Sequence, residues 1–423
     1  MPDKPKTPVD VNLALKNTLA LVLAGGRGSR LMNLTDAVAK PAVPFAGKYR
    51  IIDFPLSNCI NSGIRRVAVL TQYRAHTLIQ HVQRGWGFLK AELQEFIEIW
   101  PAQQQTEDQS WYRGTADAVY QNIPTIEAYG TKHILVLAGD HVYKQNYARM
   151  LAQHVERRAD VTVACVDVPL IEAREFGVVG VDDGDAIVSF LEKPDNPPSI
   201  PGQPDRAFAS MGIYIFDAGF LFEQLRRDAG AKGSTHDFGR DMLPFLVGRC
   251  GLYAHRFADS CVTNEATGKP YWRDVGTIDA YWRANMDLTS ITPDLDLYDS
   301  RWPIWTYQEQ RPSAKFIFDD PDRRGMAVDS LVSAGCVISG GLVRRSFLFN
   351  NVRVNSFCVI EDTVVLPNTE IGRNAVISKA LIDGGCNIPE GLVIGEDLKL
   401  DAKRFHLTEG GIVLVTKQML EMV

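Results

Sequence analysis

Four stretches of this 423-residue chain have the residue types and spacing that phosphate chemistry needs. The first is Gly25-Gly26-Arg27-Gly28-Ser29-Arg30, which breaks off an apolar run from Leu19 to Ala24. Glycines let a backbone turn tightly and bring several N–H groups close to an anion. Arg27, Arg30, Lys40, Lys48 and Arg50 crowd the segment up to residue 50 against one acid, Asp36, in a chain of formal net charge −6. A phosphorylated substrate explains so concentrated a positive loop; a surface turn with solvated charges is the plainer alternative. The loop fits neither the dinucleotide fingerprint, lacking a third glycine and an acid at the usual distance, nor the P-loop, which ends in Gly-Lys-Ser/Thr. It reads as a different phosphate cradle.

The second stretch is a pair of acids far apart in the chain. Asp140 lies in Leu137-Ala138-Gly139-Asp140-His141, directly after an apolar run, and Asp274 in Tyr271-Trp272-Arg273-Asp274-Val275-Gly276-Thr277. Such carboxylates suit Mg²⁺, which takes a few of them together with phosphate oxygens. On pattern alone an Asp after a strand is more often a cap or turn residue, and His141 is given no role. The third is Glu192-Lys193-Pro194. A lysine there could meet a phosphate while the glutamate accepts hydrogen bonds from sugar hydroxyls, although the tripeptide is also a common way out of a strand. The fourth is Trp111-Tyr112-Arg113-Gly114-Thr115-Ala116-Asp117-Ala118. An aromatic pair before a small-residue turn can frame a flat base. It can equally be core aromatics ahead of a helix capped by Thr115, and both readings can hold at once.

The elements that must position these residues change character along the chain. Strand-like runs at Leu19–Ala24, Val67–Thr71, Ile134–Ala138, Val161–Val166, Ile187–Glu192 and Gly212–Phe216 alternate with amphipathic stretches at Ala75–Arg84, Ala116–Tyr129 and Asn146–Arg158. That alternation predicts an α/β, doubly wound, mostly parallel sheet over 18–290. Ligands bind such sheets at the carboxyl ends of the strands, where the glycine loop and Gly139-Asp140 fall. Prolines 293, 303, 312 and 321 mark a linker over 291–327, with Trp302 and Trp305 expected to pack between the domains. From 328 to 423 apolar residues recur near every sixth position, among them Leu348, Ile371, Ile377, Ile382, Ile388 and Ile394, with glycines between them. This is the pattern of a hexapeptide-repeat β-helix; a β-sandwich of unusually short strands is the alternative.

Composition sets the outer bounds. Hydrophobic content of 45% and charged content of 23% are those of a soluble globular protein. No apolar run approaches the ~20 residues of a membrane span. Residues 1–17 read as a disordered or frayed lead-in without a cleavable signal, which assigns the chain to the cytoplasm. Seven scattered cysteines form no Cys-x-x-Cys pair, so neither a disulfide framework nor a zinc site is indicated. Net acidity without a basic tail argues against nucleic acid as a partner.

The glycine loop, continued by Ala39-Lys40-Pro41-Ala42, resembles the signature of the sugar-nucleotide pyrophosphorylases. Arg50-Ile51-Ile52-Asp53-Phe54-Pro55-Leu56-Ser57-Asn58 narrows the resemblance to the bacterial ADP-glucose pyrophosphorylases, also called glucose-1-phosphate adenylyltransferases. The likeness runs from about Leu19 to the C-terminal segment. It implies a Mg²⁺-dependent enzyme of glycogen biosynthesis that joins ATP and α-D-glucose 1-phosphate into ADP-glucose and pyrophosphate. A nucleotidyltransferase using another NTP and a non-catalytic regulatory subunit of the same fold are the alternatives; the intact charged set speaks against the second.

The resemblance also implies site roles. Arg30, Lys40 and Asp140 are catalytic, and Asp140 and Asp274 bind the metal. Gly25, Gly26, Gly28, Gln72, Tyr112, Gly114 and Thr115 bind the nucleotide, while Gly177, Glu192, Lys193, Ser210 and Tyr214 bind the sugar phosphate. The β-helix is left-handed, serves regulation and oligomerisation, and the usual state is a homotetramer. Small anionic effectors bind where it meets the catalytic domain, with Arg50, Thr77 and Lys417 matching the family's allosteric residues. This chain departs from the pattern there: Ala37 and Val38 stand where a basic group usually lies, Pro44 where some relatives have histidine, and Gly384 and Glu421 where some have arginine.

Overall fold

The computed structural model describes residues 10–422 apart from Arg27, Ala37, Tyr73 and residues 103–110. Its first described element corrects the expected lead-in. Val11–Lys16 form a helix, α1, whose N-cap Asp10 accepts a hydrogen bond from the Leu13 amide. The remainder of that lead-in lies outside the described residues.

The N-terminal unit is built on strands β1 (Thr18–Ala24), β4 (Arg66–Thr71), β5 (Phe96–Pro101), β6 (His133–Ala138), β8 (Val161–Pro169), β9 (Gly177–Val181), β10 (Ile187–Glu192), β11 (Arg206–Asp217) and β12 (Leu252–Arg256), with the small pairs β2 (Pro44–Phe45) with β3 (Tyr49–Arg50) and β7 (His141–Tyr143) with β13 (Trp272–Asp274) outside the main sheet. The sheet order is β10-β9-β11-β6-β1-β4-β5, with β8 on β11 and β12 on β8. β1 pairs in parallel with β4 and β6 at its centre. Its side chains alternate between two cores: Leu19 and Leu21 enter one, Ala20, Val22 and Ala24 the other. Both faces are covered, which is why the strand reads as a continuous apolar run.

The sheet is parallel over β5-β4-β1-β6; β11 then runs antiparallel to β6, β8 and β9, β10 antiparallel to β9, and the edge strand β12 parallel to β8. The run read as Gly212–Phe216 is the second half of this 12-residue strand. Its pairing with β8 breaks between Ser210 and Tyr214, where Gly212 takes a φ of +67°, so the strand bends at the mouth of the site. The expected helix 116–129 is two helices, α4 (Thr115–Tyr120) and Ile123–Ala128. Pro124 opens the second, and its missing N–H divides them.

The C-terminal unit is a parallel β-helix of three walls. Its first strand, Lys315–Ile317, pairs with Val337–Ser339, so coiling begins inside the segment expected to be linker. One interior column runs Ile338, Val354, Ile371, Ile388; a second runs Val343, Ile360, Ile377, Ile394. All eight are buried. Register partners Val354, Ile371 and Ile388 lie 17 residues apart, one short of three hexapeptides. Asn351, Asn368 and Gly385 repeat at the same interval and all have positive φ, so this column of corners uses residues that tolerate the left-handed region.

The third wall faces the N-terminal unit. Phe347, Phe349, Val364 and Leu381 share one core with Leu31, Val43, Phe45, Phe54 and Tyr281. The β2–β3 hairpin that follows Lys40 is therefore seated on the β-helix. Ala46 N donates to Asn285 Oδ1 at 3.0 Å, and the Tyr281 hydroxyl donates to the Pro44 carbonyl. Trp302 and Trp305 do not sit between the units: their indoles donate to Asn58 and Asn61 on helix α2 (Asp53–Asn61), strapping the linker to the N-terminal unit.

Candidate active site

β1 ends at Ala24, and the glycine loop leaves from the carboxyl end of the central strand. Gly28 needs to be glycine on two counts. Its φ is +63°, and a Cβ there would come within 3.0 Å of the Lys40 Cβ and 3.1 Å of the Thr35 Cγ2. Thr35 Oγ1 donates to the Gly28 carbonyl at 3.0 Å and closes the loop. A Cβ on Gly26 would meet nothing within 4 Å, so the backbone there is open to a ligand; Gly25 backs onto Gln72.

The acids 134 positions apart meet through strand pairing. β13 runs antiparallel to β7, setting Asp274 opposite His141, next to Asp140. Just before Asp140, Gly139 lets the end of β6 lie close against β1: its amide donates to the Leu23 carbonyl at 3.0 Å, and a Cβ on it would lie 2.8 Å from that oxygen. Between the carboxylates lies Lys40, its Nζ donating to Asp140 Oδ2 at 2.8 Å and Asp274 Oδ1 at 2.9 Å. Arg30 stands 3.8 Å from the other Asp274 oxygen. Burial would raise the Asp140 pKa, but Lys40 and His141 outweigh it and hold the carboxyl well below the usual range. Burial works against the Lys40 ammonium in the same way, and the two carboxylates still raise its pKa.

Asp140, His141 and Asp274 offer ligand atoms within 4.8 Å of one another. Two carboxylates gathered round a cationic group are a donor set that fits Mg²⁺. His141 was given no role from sequence; its Nδ1 is buried without a hydrogen-bond partner among the described residues.

On the far side of the cavity Glu192 ends β10 and Lys193 turns away with φ +47°, its amide donating to the Phe176 carbonyl at 3.0 Å. Gly177 leaves room for the Glu192 carboxylate, which a Cβ would meet at 3.0 Å. Burial, with Asp237 adding to it, raises the Glu192 pKa against the opposing Lys193 and Arg240. Ser210 and Tyr214 flank the break in β11; Gly212 N donates to Ser210 Oγ at 3.4 Å, and burial pushes the Tyr214 phenol up.

Gln72 and Tyr112 are brought together, Gln72 Nε2 donating to the Tyr112 carbonyl at 3.4 Å. Gly114 and Thr115 line the cavity, but the reading of Thr115 as a helix cap is corrected. Thr115 is the first residue of α4, not its cap; Gly114 stands at the cap position. A Cβ on Gly114 would lie 2.3 Å from the His236 carbonyl, which itself accepts from the Ala116 amide. Thr115 Oγ1 donates to Asp237 Oδ2 at 2.9 Å and accepts from Phe238 N at 3.0 Å. The motif thus ties the Tyr112 side of the site to the segment behind Glu192. Asp237, Phe238 and Gly239 line the same cavity and were missed. The sequence signal was there in His236-Asp237-Phe238-Gly239, an acid and a glycine with no apolar period.

One cavity of about 550 Å³ takes in Gly25, Gly26, Arg30, Lys40, Asp140 and the base-side and sugar-side candidates together. Asp274 lines the adjoining cleft, and Arg30 lines both. Arg50, Thr77 and Lys417 line neither. The Arg50 guanidinium donates to the Ala42 carbonyl and its amide to Asp53 at 2.8 Å, while burial pulls its pKa down. Thr77 Oγ1 is buried without a partner among the described residues. Lys417 lies by Gly385 and Asp383, with Asp36 also acting on Asp383. Ala37, one of the positions at which the effector pattern departs, lies outside the described residues.

Comparison with known proteins follows the same division. Residues 19–291 match the nucleotidyl transferase family and residues 312–415 the GlmU-like C-terminal hexapeptide family. The chain is 65% identical over 415 residues to a glucose-1-phosphate adenylyltransferase of Rhodospirillum rubrum, covering 98% of each chain. It is 63% identical over 405 residues to that of Dechloromonas aromatica, covering 96% of this chain and 92% of the relative. Against that of Methylococcus capsulatus it is 59% identical over 410 residues, covering 97% and 96%.

Proposed function

The chain belongs to the glucose-1-phosphate adenylyltransferases of the nucleotidyl transferase family, and from that premise we propose that it transfers the adenylyl group of ATP to α-D-glucose 1-phosphate. The products are ADP-glucose and pyrophosphate, and ADP-glucose serves glycogen synthesis as an activated glucosyl donor. The observation that carries this reading is the meeting of Lys40, Asp140 and Asp274 where the glycine loop opens into the cavity.

A phosphate oxygen of glucose 1-phosphate forms the new bond to the α-phosphorus while the bond to the β-phosphate oxygen breaks and pyrophosphate leaves. No covalent work falls to the protein; positioning and charge stabilisation carry the step. The Gly25–Gly28 backbone cradles the triphosphate, and Arg30 and Lys40 neutralise the charge that builds on the departing pyrophosphate. Gln72 and Tyr112 frame the base. Lys193 holds the sugar phosphate and Glu192 accepts hydrogen bonds from the sugar. Mg²⁺ on Asp140 and Asp274 would supply further charge neutralisation at the reacting phosphates.

Self-association into a tetramer is part of the proposal. Met326, Leu342, Val359, Val376 and Val393 stand in register along the outside of one β-helix wall, each at least partly exposed. A partner copy would cover such a strip; sedimentation that finds a monomer at micromolar protein would refute that part. A cytoplasmic location agrees with seven free cysteines, and no helix among the described residues is long and apolar enough to cross a membrane.

The deciding assay incubates the protein with glucose 1-phosphate and each of ATP, UTP, GTP and dTTP, measuring pyrophosphate. Release with ATP well above the others is expected; equal release from UTP would move the chain to a different nucleotide preference, and none from any would favour a non-catalytic subunit.

A further inference from the structure

All four oxygens of the proposed metal-binding carboxylates already face a basic group of the protein. Lys40 Nζ lies 2.8 Å from Asp140 Oδ2 and 2.9 Å from Asp274 Oδ1, Arg30 3.8 Å from Asp274 Oδ2, and His141 Nε2 3.6 Å from Asp140 Oδ1. The Lys40 side chain is only 7% exposed, so its ammonium is not one of several solvated positions for a surface lysine. An ammonium bridging two carboxylates fills the gap that a divalent ion bound by both would take, and together with the Arg30 guanidinium it offsets their two negative charges. The ammonium and the divalent ion compete, since like charges at contact distance repel strongly away from bulk water.

We infer that Lys40 is a built-in cation that keeps the Asp140–Asp274 pair closed to free divalent ions until the polyphosphate of a nucleotide draws the ammonium away. This deepens the reading of the site given above and rests on it. Gly28 leaves the movement possible: it lies against the Lys40 Cβ and Cγ, where any side chain would pin the stem. The open backbone at Gly26 lines the cavity beside Lys40 and marks where phosphate oxygens would compete for it. The device has two consequences. The ammonium offsets the repulsion that would otherwise part the carboxylates before nucleotide binds, and metal enters with nucleotide rather than before it.

The test needs no turnover. Mn²⁺ is titrated into the nucleotide-free, full-length protein and free Mn²⁺ is read by electron paramagnetic resonance. The unmutated protein is expected to bind weakly at this site, and Lys40→Met to bind about tenfold more tightly or better, an advantage lost on adding Asp140→Asn and Asp274→Asn. If the unmutated protein binds as tightly as Lys40→Met and Asp274→Asn abolishes that binding, the inference is wrong while the metal assignment stands. Mn²⁺ that stays on the triple variant lies elsewhere, and both then fail. No Mn²⁺ on Lys40→Met overturns the inference as well. Lys40→Gln is the second variant should Lys40→Met not fold. If both unfold in EDTA, circular dichroism should show Mn²⁺ restoring them by replacing the ammonium; failure of Mn²⁺ to restore either refutes the inference.

Discussion

The catalytic unit and the β-helix solve opposite problems with the same backbone. The β-helix repeats one solution: Ile338, Val354, Ile371 and Ile388 stack in register, and each coil buries its neighbour's apolar edge. Its contacts are between residues about one coil apart, its chemistry is uniform, and its stability adds up coil by coil. The site in the catalytic unit repeats nothing. Gly28 and Lys193 take left-handed backbone conformations, Lys40 is a buried cation, and the contacts that matter span 100 to 234 positions, as from Lys40 to Asp140 and Asp274. Regular packing holds the chain together, while charge is gathered in irregular backbone at the proposed site. The two meet at the β2–β3 hairpin, which follows Lys40 and packs on Phe347 and Phe349.

If that division is right, changes in each region should move different observables. The largest effect is expected from Asp140→Asn, which should leave the melting temperature near that of the parent and lower kcat on the order of 10²-fold, equivalent to ~3 kcal/mol of transition-state stabilisation. A kcat close to the parent's at saturating Mg²⁺ would remove Asp140 from the chemistry. Ile371→Ala should do the reverse. Deleting a fully buried aliphatic side chain costs roughly 2–5 kcal/mol, so thermal melting should show early loss of the C-terminal unit while kcat at 25 °C stays close to the parent's. A large kcat loss in a still-folded protein would mean that the β-helix is no mere support.

Lys193→Gln should raise KM for glucose 1-phosphate roughly 10- to 150-fold, the equivalent of one charge-assisted hydrogen bond of about 1.5–3 kcal/mol. KM for ATP should hardly change, and equal weakening of both substrates would misplace Lys193. A smaller effect concerns pH. Burial and Asp237 raise the Glu192 pKa, so as pH falls this carboxylate takes up its proton before an ordinary one would. KM for glucose 1-phosphate should rise early on the acid side, by a few-fold, and Glu192→Gln should flatten that limb. A profile unchanged by the substitution would assign the limb to another group.

The smallest effect is expected from effectors. Because the family resemblance sets Val38, Pro44, Gly384 and Glu421 where some relatives carry basic residues, millimolar fructose 1,6-bisphosphate or AMP should change the initial rate little, leaving control to a smaller anion such as fructose 6-phosphate, pyruvate or phosphate. Strong activation by fructose 1,6-bisphosphate that is lost with Arg50 or Lys417 would show that the remaining cations suffice.

The same division explains what could be read from the sequence. Apolar strand runs announce themselves locally, so Leu19–Ala24 falls within the buried β1 and Ile187–Glu192 coincides with β10, a half-exposed edge strand. The β-helix is a period and periods are legible, although the start at Lys315 was hidden among prolines and exposed residues. β5 was missed because Glu98 and Pro101 interrupt it at the sheet edge. Glycine and charge in one loop pointed to phosphate. What no local pattern could reveal was the pairing of β13 with β7 that sets Asp274 beside Asp140, or the Thr115–Asp237 bond that turns a supposed cap into a tie across the site. Nor could composition show that Lys40 sits between the two acids, because its partners are chosen by topology.

The most direct measurement is a crystal structure of the full chain with a non-hydrolysable ATP analogue, glucose 1-phosphate and Mg²⁺. The expected complex has the polyphosphate on the Gly25–Gly28 backbone, the sugar phosphate on Lys193, and the Lys40 ammonium withdrawn from Asp140 and Asp274 onto phosphate oxygens. Nucleotide bound away from the glycine loop, with Lys40 still bridging both carboxylates, would contradict the assignment of this cavity as the place where adenylyl transfer occurs.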